Sequence, residues 1–226
     1  MTPDEHWLSA MWPFVRDHLP PPPAEVLEIG CGPLGGFVPA LEAAGHAAVG
    51  VDPEAPEGPA YRRTEFESHT VPRPVGAVVA CTSLHHVGDV GAALDHLRAT
   101  LLPGGTLVVV EWAWERWDEA TARWCFDRLG PPEDPDDPGW THRRRDGWLA
   151  SGLPWPDYLA SWAEGHGIHP SAEVLTALDA RFERLSCTYG PYFFRRLPEA
   201  EPDERAAIGQ GAIEPTCIRY VGRKAA

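Results

Sequence analysis

The chain has 226 residues, of which 43% are hydrophobic, and its formal net charge is −14. This length and composition predict one globular α/β domain with a full core. The negative charge argues against a nucleic-acid partner, because phosphate binding requires clustered cations. The five cysteines are scattered without a CxxC pair, so neither a disulfide framework nor a metal site is expected. The absence of a charged-then-apolar leader or a long apolar run predicts a cytoplasmic protein without a membrane partner.

The first predicted element is an amphipathic helix within residues 1–19. Trp7, Met11, Phe14 and Val15 fall on one helical face, which indicates either a helix packed on a sheet edge or a flap over a ligand site. A polyproline run over 20–23 ends this helix.

Short apolar segments then alternate with helical segments. The predicted strands are 26–29, 47–52, 61–65, 76–81 and 106–112. A helix follows the glycine-rich turn after the first strand, and another is predicted over 90–101. Near-continuous apolar strands in β-α alternation predict a parallel sheet covered by helices on both faces.

The character of the chain changes after Trp112. Residues 113–129 predict a tryptophan-rich helix, 131–139 an acidic proline-rich loop, and 140–170 hold further tryptophans and histidines. A helix over 171–182 and two strands, 183–189 and 216–222, close the chain. The long segment between these two strands favours an antiparallel edge pair.

The segment VLEIGCGPLGG, residues 26–36, joins the first strand to its helix. Its residues 30–35 satisfy GxGxxG, and Asp52 lies about 20 residues further on. Glycines let the backbone approach a ligand, and the helix N-terminus presents free N–H groups to it. By itself this pattern is a dinucleotide fingerprint of low specificity.

Three neighbouring features favour a different ligand. Glu28 stands two residues before the first glycine, where a carboxylate repels a pyrophosphate but attracts a cationic amino group or a sulfonium. The fourth strand ends in CTSLHHVGD, and the helix after it runs into LLPGGTLVVVEW.

At these residues the chain resembles the class I S-adenosylmethionine-dependent methyltransferases. Four segments occur in the order and spacing of that family: ExGxG at 28–32, GVD at 50–52, SLHHV at 83–87 and LLPGG at 101–105. The resemblance covers residues 24–112 and implies a Rossmann-like, doubly wound, mostly parallel seven-stranded sheet. It also implies S-adenosylmethionine as the cofactor. The residues after strand five predict a helical, tryptophan-rich insertion.

The resemblance suggests four regions. Residues 1–23 form an N-terminal helix or flap, 24–112 the cofactor-binding core, 113–170 a helical lid over the acceptor, and 171–226 a helix and edge strands that complete the core. Tryptophans concentrate in 113–170, and aromatic walls suit a flat or apolar acceptor. These tryptophans are equally consistent with the core of a helical subdomain.

The family's residue roles carry over by position. Gly30, Cys31 and Gly32 match the turn that admits the methionine and ribose, and Glu28 matches the acid near the methionyl amino group. Asp52 matches the carboxylate that accepts both ribose hydroxyls. The remaining matches are Pro53 beside the adenine, Glu65 and Phe66 at the adenine edge, and Cys81 with its backbone near the methionyl ammonium. The family's third glycine is Leu34 here, so one extra residue in the turn gives that role to Gly35 or Gly36.

Three residues are candidates for removing a proton from the acceptor: His86, Glu111 and His142. Of the adjacent pair His85 and His86, His86 is the favoured base, although the pair is also consistent with a structural role in its loop. The leading hypothesis is O-, N- or C-methylation of a small-molecule acceptor. The alternatives are an NAD(P)-dependent oxidoreductase and a non-catalytic S-adenosylmethionine-binding protein.

Overall fold

The computed structural model describes residues 2–132, 134, 136–197 and 200–225. Its strands are β1 Glu25–Ile29, β2 Ala47–Val51, β3 Tyr61–Arg62, β4 Val75–Cys81, β5 Leu101–Trp112, β6 Glu183–Gly190 and β7 Cys217–Arg223. Its helices are α1 Pro3–Asp17, α2 Val38–Ala43, α3 Val90–Thr100, α4 Glu119–Phe126, α5 Trp140–Ser151, α6 Trp155–Gly165, α7 Ser171–Asp179 and α8 Glu201–Gly209. No helix in these ranges has both the length and the apolar character needed to cross a bilayer.

The strands form one seven-stranded sheet in the order β3-β2-β1-β4-β5-β7-β6. Strands β1 to β5 pair in parallel, whereas β7 is antiparallel to both of its neighbours, β5 and β6. The predicted Rossmann-like, mostly parallel sheet and the antiparallel edge pair are therefore confirmed. The strand order reverses between β1 and β4, and ligands of open α/β sheets bind in the crevice at such a switch point.

Alternating side chains of the central strands feed two separate cores. Ala77 and Val79 of β4 belong to the cluster that contains the buried residues of α1 and α2, whereas Val78 and Ala80 belong to the cluster of α3 and α7. This alternation follows from the two-residue period of a strand with helices on both faces.

Helix α1 packs against the first of these cores. Thr2 and Glu5 form a capping box at its start, and Trp7, Met11 and Val15 are fully buried at a spacing of four residues. Phe14, predicted on the same face, lies at the edge of this stripe and is only partly buried.

Several predicted boundaries were wrong. The single helix over 113–129 is a 3₁₀ turn, Trp114–Arg116, followed by α4, because the Asp118 side chain caps the Thr121 N–H at 2.7 Å and starts a new helix. The third strand stops at Arg62 instead of 65. Helix α8 lies within the long segment between the last two strands, for which the sequence predicted no element. The helix start is marked by Pro202 and by acidic residues in the first turn. This signal is hard to recognise because the surrounding sequence is also rich in proline and glutamate.

Candidate functional site

A cavity of about 570 Å³ opens at the carboxyl ends of β1, β2 and β4, and we call it the first cavity. Eight of the ten residues assigned to the cofactor line it: Gly30, Cys31, Gly32, Asp52, Pro53, Glu65, Phe66 and Cys81. Asp4, Trp7 and Leu8 of α1 also line it, so this helix both packs on the sheet and closes one side of the cavity.

The glycines of the turn serve different purposes. A Cβ at Gly30 would lie 2.5 Å from the Cβ of Ser83 and 2.7 Å from the carbonyl oxygen of Cys81, so only glycine fits between β1 and the β4 loop. Gly32 has a φ of +60° and no atom within 4 Å of such a Cβ. This glycine leaves bare backbone facing the open cavity, where a ligand can approach closely.

The extra residue of the turn is accommodated by two consecutive glycines with positive φ, Gly35 at +81° and Gly36 at +57°. A Cβ at Gly35 would overlap the Tyr61 hydroxyl, and one at Gly36 would overlap the Glu28 carboxylate. Gly36 lines the first cavity and Gly35 does not. Of the two positions left open by the sequence, Gly36 is therefore the one that lines the cavity.

Glu28 is completely buried and does not line the first cavity. Its two carboxylate oxygens lie 3.0 and 2.8 Å from the backbone N–H of Phe37, which donates to both. Burial raises the pKa of Glu28 to about 8, against the opposing effect of backbone hydrogen bonds from Phe37 and Val38. Glu28 thus anchors the turn to the start of α2, and the attraction for a cationic ligand falls to carboxylates that do face the cavity.

Asp52 is the best placed of those carboxylates. It directly follows β2, and its Oδ1 accepts the Glu54 N–H at 2.7 Å, which fixes the side chain at the cavity wall. Glu65 lies on the same wall, just before the 3₁₀ turn that carries Phe66.

A second cavity, of about 620 Å³, adjoins the first. The two share Thr82, His86 and Arg195 in their linings. Thr82 has a φ of +47°, which is unusual for a β-branched residue and marks the junction as a locally strained point.

Arg195 comes from the C-terminal part of the chain and reaches this junction. It donates to Asp4 of α1 at 2.6 Å, lies over the Trp7 ring at 4.8 Å and is 3.4 Å from the Thr82 hydroxyl. Sequence analysis missed Arg195, because its partners are remote in sequence and the local FFRR segment matches no motif.

Aromatic side chains form much of the wall of the second cavity: Trp112, Trp140, Trp162 and Tyr192. Trp112 and Tyr192 stack with ring centroids 5.6 Å apart and an interplanar angle of 12°. Trp155, by contrast, is fully buried and donates its indole N–H to the Trp117 carbonyl. The indole N–H of Trp148 donates to the Leu153 carbonyl at 2.9 Å. The tryptophans of 113–170 therefore divide between a cavity wall and a helical core.

The three proton-acceptor candidates lie in different surroundings. Glu111, at the end of β5, is buried and lines neither cavity. Its carboxylate binds His85 Nδ1 at 2.5 Å and the backbone N–H of Leu84 at 2.9 Å. Burial alone would raise the pKa of Glu111, but the adjacent His85 and these hydrogen bonds outweigh it and hold the pKa below its ordinary value. Glu111 is therefore an ionised partner of His85.

The structure gives the adjacent histidines different surroundings, whereas the sequence favoured His86 as the base. His85 lines the second cavity and is oriented by Glu111, whereas His86 lines both cavities. Burial, reinforced by the neighbouring His85, lowers the pKa of His86 to about 4, so its ring is neutral at pH 7. His142 lines neither cavity and is hydrogen-bonded to the Gly130 carbonyl at 2.9 Å. The sequence could have indicated His85 equally well, because it lies on the same strand-end loop as His86.

Comparison with known proteins identifies the family of this chain. A family model described as a methyltransferase domain matches residues 6–167. The chain belongs to this methyltransferase family. A comparison with curated protein sequences gives no match. The match decides against the nicotinamide-dependent alternative, and S-adenosylmethionine is the cofactor of this class I methyltransferase.

Solved structures share the fold of the methyltransferase at low identity. An S-adenosylmethionine-dependent methyltransferase from Mesorhizobium loti is 20% identical, with a TM-score of 0.58 over 96% of this chain and 100% of that one. The N-methyltransferase NodS from Bradyrhizobium japonicum, in complex with S-adenosyl-L-homocysteine, is 14% identical, with a TM-score of 0.52 over 99% and 88%. Geranyl diphosphate C-methyltransferase from Streptomyces coelicolor is 16% identical, with a TM-score of 0.56 over 96% and 76%.

Proposed function

We propose that this methyltransferase methylates a small-molecule acceptor bound in the second cavity while S-adenosylmethionine occupies the first. The observation that carries the proposal is the contact between the two cavities at Thr82, His86 and Arg195. An acceptor that reaches this junction would lie next to the cofactor. Methyl transfer is an in-line displacement, and alignment of the two reactants is the main contribution that the protein has to make.

S-adenosylmethionine supplies an electrophilic methyl group, and the residues of the first cavity would hold it. Asp52 would accept hydrogen bonds from the ribose hydroxyls, Gly30 and Gly32 would admit the cofactor close to the backbone, and Glu65 and Phe66 would contact the adenine. The carboxylate-rich lining supports this assignment, because the cofactor carries an ammonium and a sulfonium.

His85 is the proposed general base for an O–H or N–H acceptor. An ionised Glu111 can only accept a hydrogen bond, so His85 Nδ1 carries the hydrogen and its Nε2 can receive a proton. Glu111 acts as a positioning residue. The neutral His86 ring, whose centroid lies 4.0 Å from that of His85, would contact the acceptor at the junction.

Calorimetric titration with S-adenosylmethionine and with NADH tests the cofactor assignment. Heat of binding is expected only with S-adenosylmethionine, and heat only with NADH would overturn it. Methyl transfer is then assayed across a panel of phenols, amines and activated carbon acids. Cofactor binding without transfer to any of them would favour a non-catalytic binding protein.

The base is tested with His85→Asn and Glu111→Gln under single-turnover conditions. Loss of a general base costs about 10²- to 10⁴-fold in rate, so the His85 variant should fall in this range with unchanged cofactor affinity. Glu111→Gln should retain cofactor affinity but change the pH profile of the rate, because the amide no longer holds the same His85 tautomer. His142→Gln serves as the matched control, since His142 lines neither cavity. Equal rates for the His85 and His142 variants would exclude His85 as the base.

A further inference from the structure

The two cavities have opposite charge. The first is lined by five carboxylates: Asp4, Asp52, Glu54, Glu65 and Glu67. The second is lined by four arginines: Arg143, Arg144, Arg195 and Arg196. Among the described residues that line the second cavity there is no Asp or Glu. A chain with 33 acidic residues and 19 Lys and Arg would not concentrate arginines in this way by composition alone.

Two of these arginines already have counter-ions. Arg143 is paired with Asp137, and Arg195 with Asp4. For Arg144 and Arg196, the described part of the chain supplies no carboxylate at ion-pair distance. Arg144 and Arg196 are therefore the two lining arginines without a counter-ion among the described residues.

Arg144 is the more constrained of the two. Its guanidinium lies over the Trp162 ring at 4.7 Å, and its buried Nε has no hydrogen-bond partner among the described residues. Burial also lowers the pKa of Arg144. A buried guanidinium donor without a partner is unfavourable, and the planar fork of donors on a guanidinium fits the oxygens of a carboxylate or a phosphate.

The position of these groups fits an acceptor with two distinct ends. Arg144 and Arg196 line only the second cavity, whereas the junction with the first is formed by Thr82, His86 and Arg195. An anionic group bound by Arg144 and Arg196 would therefore lie against the part of the second cavity that the first does not share. The tryptophans and Tyr192 of the wall would contact the body of the molecule between these two points.

We propose that the acceptor is an organic anion, with an aromatic or apolar body and a carboxylate or phosphate group that Arg144 and Arg196 bind. This inference rests on the proposed function, because it names the class of acceptor for the same site. This proposal also accounts for the opposite charges of the two cavities, because a cationic cofactor and an anionic acceptor would each enter a cavity of complementary charge.

The test is calorimetry on the full chain saturated with S-adenosylhomocysteine, with three probes of similar shape: phenylacetate, benzylphosphonate and the neutral phenylacetamide. At least one anion should bind about tenfold or more tightly than the amide, the scale of a charge-assisted hydrogen bond. The tighter of the two anions identifies the acid group. Arg144→Gln and Arg196→Gln should each weaken anion binding about tenfold or more and leave amide binding unchanged.

Arg145→Gln is the matched control. Arg145 is adjacent on α5 but is paired with Asp146 and lines neither cavity, so its substitution should change neither affinity. Equal binding of the anions and the amide, no anion binding at all, or equal effects of the Arg144 and Arg145 variants would overturn the inference. S-adenosylhomocysteine binding is measured first. If S-adenosylhomocysteine does not bind, both the proposed function and this inference are wrong. If it binds but the anions and the amide then bind equally, only this inference is wrong.

Discussion

The pH dependence of stability should change when Glu28 is replaced by glutamine. Glu28 is fully buried, and its pKa is raised from 4.5 to about 8, first by burial. Between these two pH values the folded state holds a proton that the unfolded state has released. Stability therefore falls as the pH rises through this window, is unaffected by this group well below pH 4.5, and levels off above pH 8.

The magnitude follows from the two pKa values. Each pH unit in which the folded state alone is protonated costs 1.36 kcal/mol, so the contribution of Glu28 should decline by roughly 3–4 kcal/mol between pH 5 and pH 8. Glu28→Gln removes the titration and keeps an oxygen that can accept the Phe37 N–H. The variant should therefore gain this amount relative to the wild type across the same pH range.

Urea unfolding at pH 5 and pH 8, followed by far-ultraviolet circular dichroism, measures the difference. Glu42→Gln, on the exposed side of α2, is the matched control and should give the same offset from the wild type at both pH values. A constant offset between the Glu28 variant and the wild type would show that the folded state does not hold this proton. The reading of Glu28 as a neutral anchor of the turn would then be wrong.

Five further substitutions test the turn, the ribose assignment and the aromatic wall. Gly36→Ala should lower the free energy of unfolding by at least 2 kcal/mol more than Gly104→Ala, about the cost of one strained contact. Both glycines have positive φ, but only at Gly36 would a Cβ overlap another side chain, so equal losses in urea unfolding would contradict the steric argument. Asp52→Ala should weaken S-adenosylmethionine binding by about 1–3 kcal/mol in calorimetry, and an unchanged Kd would refute the ribose role. Trp140→Ala should raise the acceptor KM and cost less stability than Trp155→Ala, which should cost about 3–5 kcal/mol because its side chain is fully buried. The reverse pattern would contradict the assignment of Trp140 to the cavity wall and of Trp155 to the core.

The fold and the gathering of most candidate cofactor residues around one cavity were predictable because their signals are local. Apolar strands in β-α alternation specify a parallel sheet, and a strand that runs into glycines places a backbone loop at the carboxyl edge. Asp52 was predictable for the same reason, since it directly follows a buried strand. Eight of the ten predicted cofactor residues line one cavity as a result.

The placements that the sequence did not predict depend on contacts between distant segments. The sequence favoured His86 over His85, but His85 is the ring that receives Glu111 from a strand 26 positions later. No local pattern placed His142 away from both cavities or turned Glu28 inward against the start of α2.

The sequence by itself determined the class of fold and the family of cofactor, since both follow from short-range periodicity and from glycine geometry. Only the tertiary structure decided which residues line the second cavity. Arg195 meets Asp4 across 191 positions, and Arg144 and Arg196 converge from separate elements onto an aromatic wall. Such convergence is set by how helices pack over the sheet edge, and side chains brought together in this way leave no signature in the spacing of the residues that contribute them.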